Sequence, residues 1–171
     1  MKYTWKNFIG FVVLLGMMTA SFFSHAAALT DYAENKMYDA LLRGQALGAP
    51  ATMYVALCTA TPTDTGCGTE VSGGSYARVA VTSSLANWSG TQSAGTTVAS
   101  TGTDGTGENN AAITFPAPTA SWGVVQGFCL MDASTSGNAW VCSALSTNKT
   151  INNGDAAPSF AASALTFTVD N

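Results

Sequence analysis

The stretch Gly123-Val-Val-Gln-Gly-Phe-Cys-Leu-Met131, then Asp132-Ala-Ser-Thr-Ser-Gly-Asn138, then Ala139-Trp-Val-Cys-Ser-Ala-Leu145 decides the fold. Two β-prone runs flank a cluster of turn formers, which is the pattern of a β-hairpin. Cys129 and Cys142 lie nearly symmetrically about Ser134–Asn138, so such a hairpin sets them opposite each other. Working outward, Thr52–Cys58 reads as a buried strand, and Tyr76–Thr82 as a second one introduced by the turn Ser72-Gly73-Gly74. Ala111–Phe115 is a strand ended by Pro116 and Pro118, and Ala164–Val169 alternates, with Leu165, Phe167 and Val169 on one side. Between Trp88 and Asn110 runs a Gly/Ser/Thr-rich loop with one short strand expected near Thr96–Ser100. Short strands at regular spacing with turn signals between them predict a mainly β protein, an antiparallel β-sandwich.

One segment has a different period. Thr30–Arg43 predicts the single N-terminal α-helix, with Asp31 and Glu34 as a capping box and Gly44 as the stop. Ala33, Met37, Tyr38, Leu41 and Leu42 recur at three- and four-residue spacing and form one apolar face. That face either packs on the sandwich or meets a neighbouring subunit.

Upstream, Lys2 and Lys6, the apolar run Phe8–Met18 and the small residues Ser24–Ala28 have the order of a secretory signal peptide; cleavage after Ala26 or Ala28 fits, and Ala26 is favoured because Ser24 and Ala26 occupy the small-residue positions. The run is too short for a membrane span. Residues 27–171 then form a single domain without imidazole, because His25 is the only histidine. This removes His-based triads, His metal ligands and the commonest general base. Four basic residues (Lys36, Arg43, Arg78, Lys149) against ten acidic ones leave that domain a net charge of −6, which disfavours nucleic acid as a partner.

Cys58, Cys67, Cys129 and Cys142 all remain after cleavage, an even number that implies disulfides in an exported chain. Three connectivities are possible. Sequence position favours 58–67, which flanks a turn-rich segment, and 129–142, which spans the hairpin. With no C-x-x-C and no histidine, a structural role outweighs a metal one.

Other chemistry has weak support. Asp104 and Glu108 in a Gly-rich loop could offer calcium ligands, but the dense acidic series of an EF-hand is missing. Glu70 and Arg78 flank the Gly73-Gly74 turn and suit a cross-strand ion pair. Trp88, Trp122 and Trp140, with Tyr54 and Tyr76, offer either core or a sugar-stacking platform. Asn87-Trp-Ser89 and Asn148-Lys-Thr150 match the short N-glycosylation pattern, which a bacterial signal peptide makes irrelevant. Neither a nucleophile elbow, a phosphate loop nor a dinucleotide fingerprint occurs, so no cofactor and no enzymatic activity are expected.

Several blocks in order carry a resemblance: Leu29-Thr-Asp-Tyr-Ala-Glu-Asn-Lys, Ala40-Leu-Leu-Arg-Gly, Tyr54-Val-Ala-Leu, Ile113-Thr-Phe-Pro, Trp122-Gly, Gly127-Phe128 and Ile151-Asn-Asn-Gly-Asp. The most specific is Thr69-Glu-Val-Ser-Gly-Gly-Ser-Tyr-Ala-Arg78. Together they resemble a family of tailed-phage structural proteins, labelled tail-fibre-like or minor tail proteins. The resemblance implies a non-enzymatic β-rich protein that assembles with copies of itself or with other particle proteins. Two features depart from that family, namely the signal peptide and the cysteines, whose positions are typically apolar or aromatic there. They point to a phage-type module used outside the cytoplasm.

The leading expectation is therefore a secreted protein, passing through the periplasm, that self-assembles into an extracellular filament or surface structure. Leu165, Phe167 and Val169 on an ungated terminal strand, and Met37 and Leu41 on the helix, are the expected assembly residues. The alternatives are a monomeric glycan-binding adhesin using exposed tryptophans, and a phage virion or tail component.

Overall fold

The computed structural model describes residues 28–169. The expected signal peptide, residues 1–26, lies outside them. The elements in chain order are β1 (Ala28–Leu29), α1 (Asp31–Leu42), β2 (Thr52–Cys58), β3 (Val79–Thr82), β4 (Thr106–Glu108), β5 (Ile113–Thr114), β6 (Gly123–Met131), β7 (Ala139–Ile151), β8 (Ser159–Phe160) and β9 (Thr166–Thr168). The fold is mainly β and antiparallel, with one helix near the N-terminal end.

One five-stranded sheet, in the order β1-β7-β6-β2-β3, forms the first layer. The second layer is two separate ribbons, β4–β9 and β5–β8, instead of a second continuous sheet. Strand alternation sorts the sheet's side chains. Val55 and Leu57 of β2, Phe128 and Leu130 of β6 and Val141 of β7 join the main core, with Ile113, Phe115, Trp122 and Leu165 from the covering layer. Ala56, Cys58, Cys129, Met131, Ala139 and Cys142 form a thinner cluster of their own.

β2 and β6 have the limits expected from sequence, and the β6–β7 hairpin sets Cys129 opposite Cys142. β7 runs past Leu145 to Ile151. It bulges on the way, because Gly127 pairs with Ala144 while Val125 pairs with Lys149, which leaves residues 145–148 against Gln126 alone.

Three strand expectations are corrected. β3 begins at Val79, not Tyr76, because Gly73, Gly74 and Ser75 all adopt positive φ and hold the chain in a turn. The residue at position 74 must be glycine for a second reason. A Cβ there would come within 3.0 Å of the Ala120 backbone and 2.9 Å of Trp122 Nε1, which donates to the Gly74 carbonyl. No strand forms at 96–100; there Thr91, Gln92 and Thr96 side chains bond the loop backbone in place of a ladder. The Gly-rich stretch pairs later, at β4, and the expected 111–115 strand narrows to β5.

The helix is capped by Thr30, whose hydroxyl accepts from the Ala33 amide at 3.4 Å. Asp31 and Glu34 instead occupy the first turn, where the helix dipole favours carboxylates. Gly44 follows the last turn at φ +68, as its stop position requires.

Leu165 is fully buried, and its neighbours β4 and β9 are held by three register pairs from Thr106–Thr168 to Glu108–Thr166. Replacing it with alanine should cost about 3 kcal/mol of unfolding free energy, the usual loss for a buried leucine. Chemical denaturation of Leu165→Ala against the parent chain measures this.

Candidate functional site

The block Thr69–Arg78 organises one end of the molecule. Val71 is buried in the core, and its amide bonds the Leu57 carbonyl at 2.9 Å, so the block follows the end of β2. Turning at Gly73-Gly74 brings Arg78 back beside Glu70. The guanidinium grips the carboxylate at two points, Nε to Oε1 at 2.8 Å and Nη2 to Oε2 at 2.7 Å. Its Nη1 donates to the carbonyls of Ala133 and Ser136, both at 2.7 Å, in the turn between β6 and β7. Tyr76 donates its hydroxyl to Glu70 at 2.8 Å and accepts from the Leu57 amide at 2.9 Å. The pair expected from sequence is thus a clamp between β2, the 69–78 turn and the tip of the central hairpin.

Electrostatics follow from that geometry. Burial opposes ionisation of Glu70, but hydrogen bonds from Arg78 and Tyr76 and the guanidinium charge prevail and hold its pKa below the ordinary value. The hydrogen bond to Glu70 raises the pKa of Arg78. Burial, with the adjacent carboxylate, pushes the Tyr76 hydroxyl up, which keeps it a donor.

The remaining candidates fall into place around this clamp. Cys58 bonds Cys67 and Cys129 bonds Cys142. Asp104 accepts from the Thr106 amide two residues on, and Glu108 stands in β4 opposite Thr166. Among the described residues, the one group of three or more potential metal-ligating side chains with mutually close ligand atoms is Cys58, Cys67 and Cys129. The tryptophans do not build a platform. Trp122 and Trp140 are buried, Trp140 edge-on to Tyr32, and Trp88 is half-buried against Phe167.

The expected assembly residues divide sharply. Leu165 and Phe167 are used inside their own subunit, and β9 is already paired with β4, so Val169 alone of the three is exposed. The helix behaves in the opposite way. Of its apolar face only Ala33 is buried, while Tyr38, Leu41 and Leu42 are exposed, Leu41 by 77% and Leu42 by 71%. Met37 on the same helix and Leu47, beyond its C-terminal end, are exposed as well. The first turn packs against β7, and the later turns stand off the body. Leu47 was not singled out from sequence; its one signal is a bulky apolar residue set among small ones.

A β-body with two disulfides, an ion-pair clamp and an apolar helix standing off its surface has the build of a structural protein. The profile of the family described as Podophage GP4 fiber I protein gp80 matches residues 28–168, and the chain belongs to that family. The resemblance to tailed-phage structural proteins is thereby established. No curated protein matches the chain. Among the described residues, no helix is long and apolar enough to cross a membrane.

The clamp predicts an acid-side dependence of stability. Because the folded pKa of Glu70 lies below its unfolded value, the stabilisation is fully present above the ordinary carboxylate range. It is lost as pH falls through the folded pKa. Glu70→Gln should remove this component from the denaturation midpoint plotted against pH. Arg78→Ala, which strands a half-buried carboxylate, should cost about 3 kcal/mol near neutral pH.

Proposed function

We propose that the protein is an exported fibre-type structural subunit that self-assembles into an extracellular filament or surface structure. The observation that carries this reading is the apolar end of α1, where Met37, Tyr38, Leu41 and Leu42 stand in solvent beside one another. Large apolar side chains in a contiguous patch gain about 25 cal/mol for each Å² removed from water when a second surface covers them. Membership of a phage fibre family supports assembly, and the leader-like order of residues 1–28 supports export. Two disulfides suit an oxidising destination.

A second reading, a fibre component of a phage particle, is favoured by the family match itself. The glycan-binding alternative needs exposed tryptophans, and Trp122 and Trp140 are buried.

Electron microscopy of protein recovered from culture medium, with N-terminal sequencing, separates the readings. Export predicts a mature chain beginning at Ala27 and ordered particles or filaments. The double variant Leu41→Lys, Leu42→Lys should be monodisperse and monomeric with an unfolding free energy within about 0.5 kcal/mol of the parent, since both positions are exposed. Monomers of the parent chain at every concentration overturn the assembly reading. A full-length chain found only in phage particles supports the second.

A further inference from the structure

The strand edges of the molecule are not equally protected. β7 is covered by β1 at Val141 and Cys142, and beyond them its outer edge carries the bulge and Lys149. Both features oppose the addition of a strand. On the outer edge of β3, the Thr82 carbonyl already accepts from the Asn87 side-chain amide at 3.0 Å. The far side of β4 is taken by residues 88–89, through the Ser89 amide on the Glu108 carbonyl at 2.9 Å and the Trp88–Asn109 bridge. Among the described residues, the outer edge of β9 has no such device. Ala161–Val169 contains no charged residue and no proline, and β4 is the single partner of β9.

That edge extends beyond β9 itself. The Asn109 amide bonds the Leu165 carbonyl at 3.3 Å and the Val169 amide bonds the Gly105 carbonyl at 3.1 Å, so residues 165–169 run beside 105–109 in one register. In an antiparallel ladder, residues bonded to the partner alternate with residues whose N–H and C=O point the other way. Leu165 and Val169 bond the β4 side, which turns the backbone groups of Thr166 and Thr168 outward. The start of the run is fixed by Asn109, which is 1% exposed. Its Oδ1 accepts from the Leu165 amide at 2.9 Å, and its Nδ2 donates to the carbonyls of Ala111 and Ala161, both at 2.7 Å. An edge held in this way loses little freedom on pairing.

We propose that β9 pairs edge to edge with β9 of a second copy, antiparallel and about a two-fold axis at Phe167, joining two β4–β9 ribbons into one continuous sheet. The contact rests on the assembly reading above and adds to it a surface separate from α1. In this register Thr166 stands opposite Thr168 of the second copy and Thr168 opposite its Thr166, each pair exchanging both backbone bonds. Phe167 meets its own counterpart at the close, non-bonded position between them, where aromatic pairs stabilise a ladder. It already lies edge-on to Trp88, with ring centroids 5.8 Å apart, so the pairing extends an aromatic row across the axis. Val169, 56% exposed, comes beside Leu165 of the second copy. Glu108, the one charge in the two strands, lines up with Thr106 of the second copy and not with its own counterpart, so no like charges stand opposite each other. A two-fold contact alone closes at a pair; with a separate contact at α1 it lets a row of copies continue.

Quenched hydrogen exchange of the full chain, dilute and assembled, with amides read one by one, tests the contact. The Thr166 and Thr168 amides should exchange freely in the dilute chain and become protected on assembly. The Val169 amide, bonded to Gly105 in every copy, is the internal control and should be protected in both. Thr166→Pro removes an outward N–H and no bond to β4, so with the Val169 amide unchanged it should stop growth at the unit that α1 alone holds together. Thr166→Lys, an edge lysine at an exposed position, should do the same and reads the contact if proline disturbs the strand. Assembly in which the Thr166 and Thr168 amides still exchange freely, or which proceeds undiminished in both variants, overturns this contact and leaves the one at α1 standing. A parent chain that stays monomeric at every concentration overturns both.

Discussion

The bond between Cys129 and Cys142 joins two residues that face each other across the β6–β7 ladder, and the rest of the molecule inherits its register from that contact. A one-residue slip in an antiparallel pair would exchange the two faces of each strand. Phe128 and Leu130 would then turn out of the main core, and the cysteines into it. Closing a loop of this size restricts the unfolded chain by about 3 kcal/mol in the chain-entropy account. The cross-link also fixes which face is which. β2 adds to β6 with Ala56 opposite Cys129, and its own alternation is thereby settled.

From that hairpin, order spreads by polar contacts as well as by burial. The β6–β7 turn offers two carbonyls to Arg78, and Arg78 holds Glu70, whose segment closes over the end of β2 through Val71. Gly127 marks the same economy of space on the other side. A Cβ at this position would come within 2.4 Å of two Pro62 side-chain atoms, so the loop between Cys58 and Cys67 lies directly on the sheet. The disulfide at the ends of that loop and the absent side chain at position 127 serve one close approach.

Local signals were legible in the sequence and long-range ones were not. The hairpin, β2, the Gly73-Gly74 turn and the helix stop at Gly44 each depend on residues within a few positions of one another, and all were readable. β4, β5, β8 and β9 have two or three residues each, too few to show a period, and their partners lie 45 to 62 positions away. Leu165 illustrates the cost: its alternation with Phe167 and Val169 was visible, but not that β4 waited to pair beside it. The helix fails in the reverse sense. Its apolar face was readable, whereas the fact that only Ala33 finds the body depends on where β7 ends the contact surface. The targets of Arg78 are backbone carbonyls, which have no sequence signature at all.

This division has a functional consequence that follows from energetics. The body closes its disulfides over short loops and ties elements distant in sequence through the Arg78 bonds to the β6–β7 turn and through aromatic contacts such as Tyr76–Trp122 and Phe128–Phe160. Dense cross-linking of this kind makes a region open cooperatively. The helix beyond its first turn has few such contacts: its visible side-chain bond is the exposed Asp39–Arg43 pair, which contributes little in water. A twelve-residue helix is marginal in isolation and draws its stability from packing. Covering Tyr38, Leu41 and Leu42 therefore does two things at once, removing apolar surface from water and fixing a helix that the body supports at one end only. On the proposed assembly reading, a β-body that presents a segment stabilised by contact could join neighbours without altering its own core, which is the requirement a repeating structural subunit must meet.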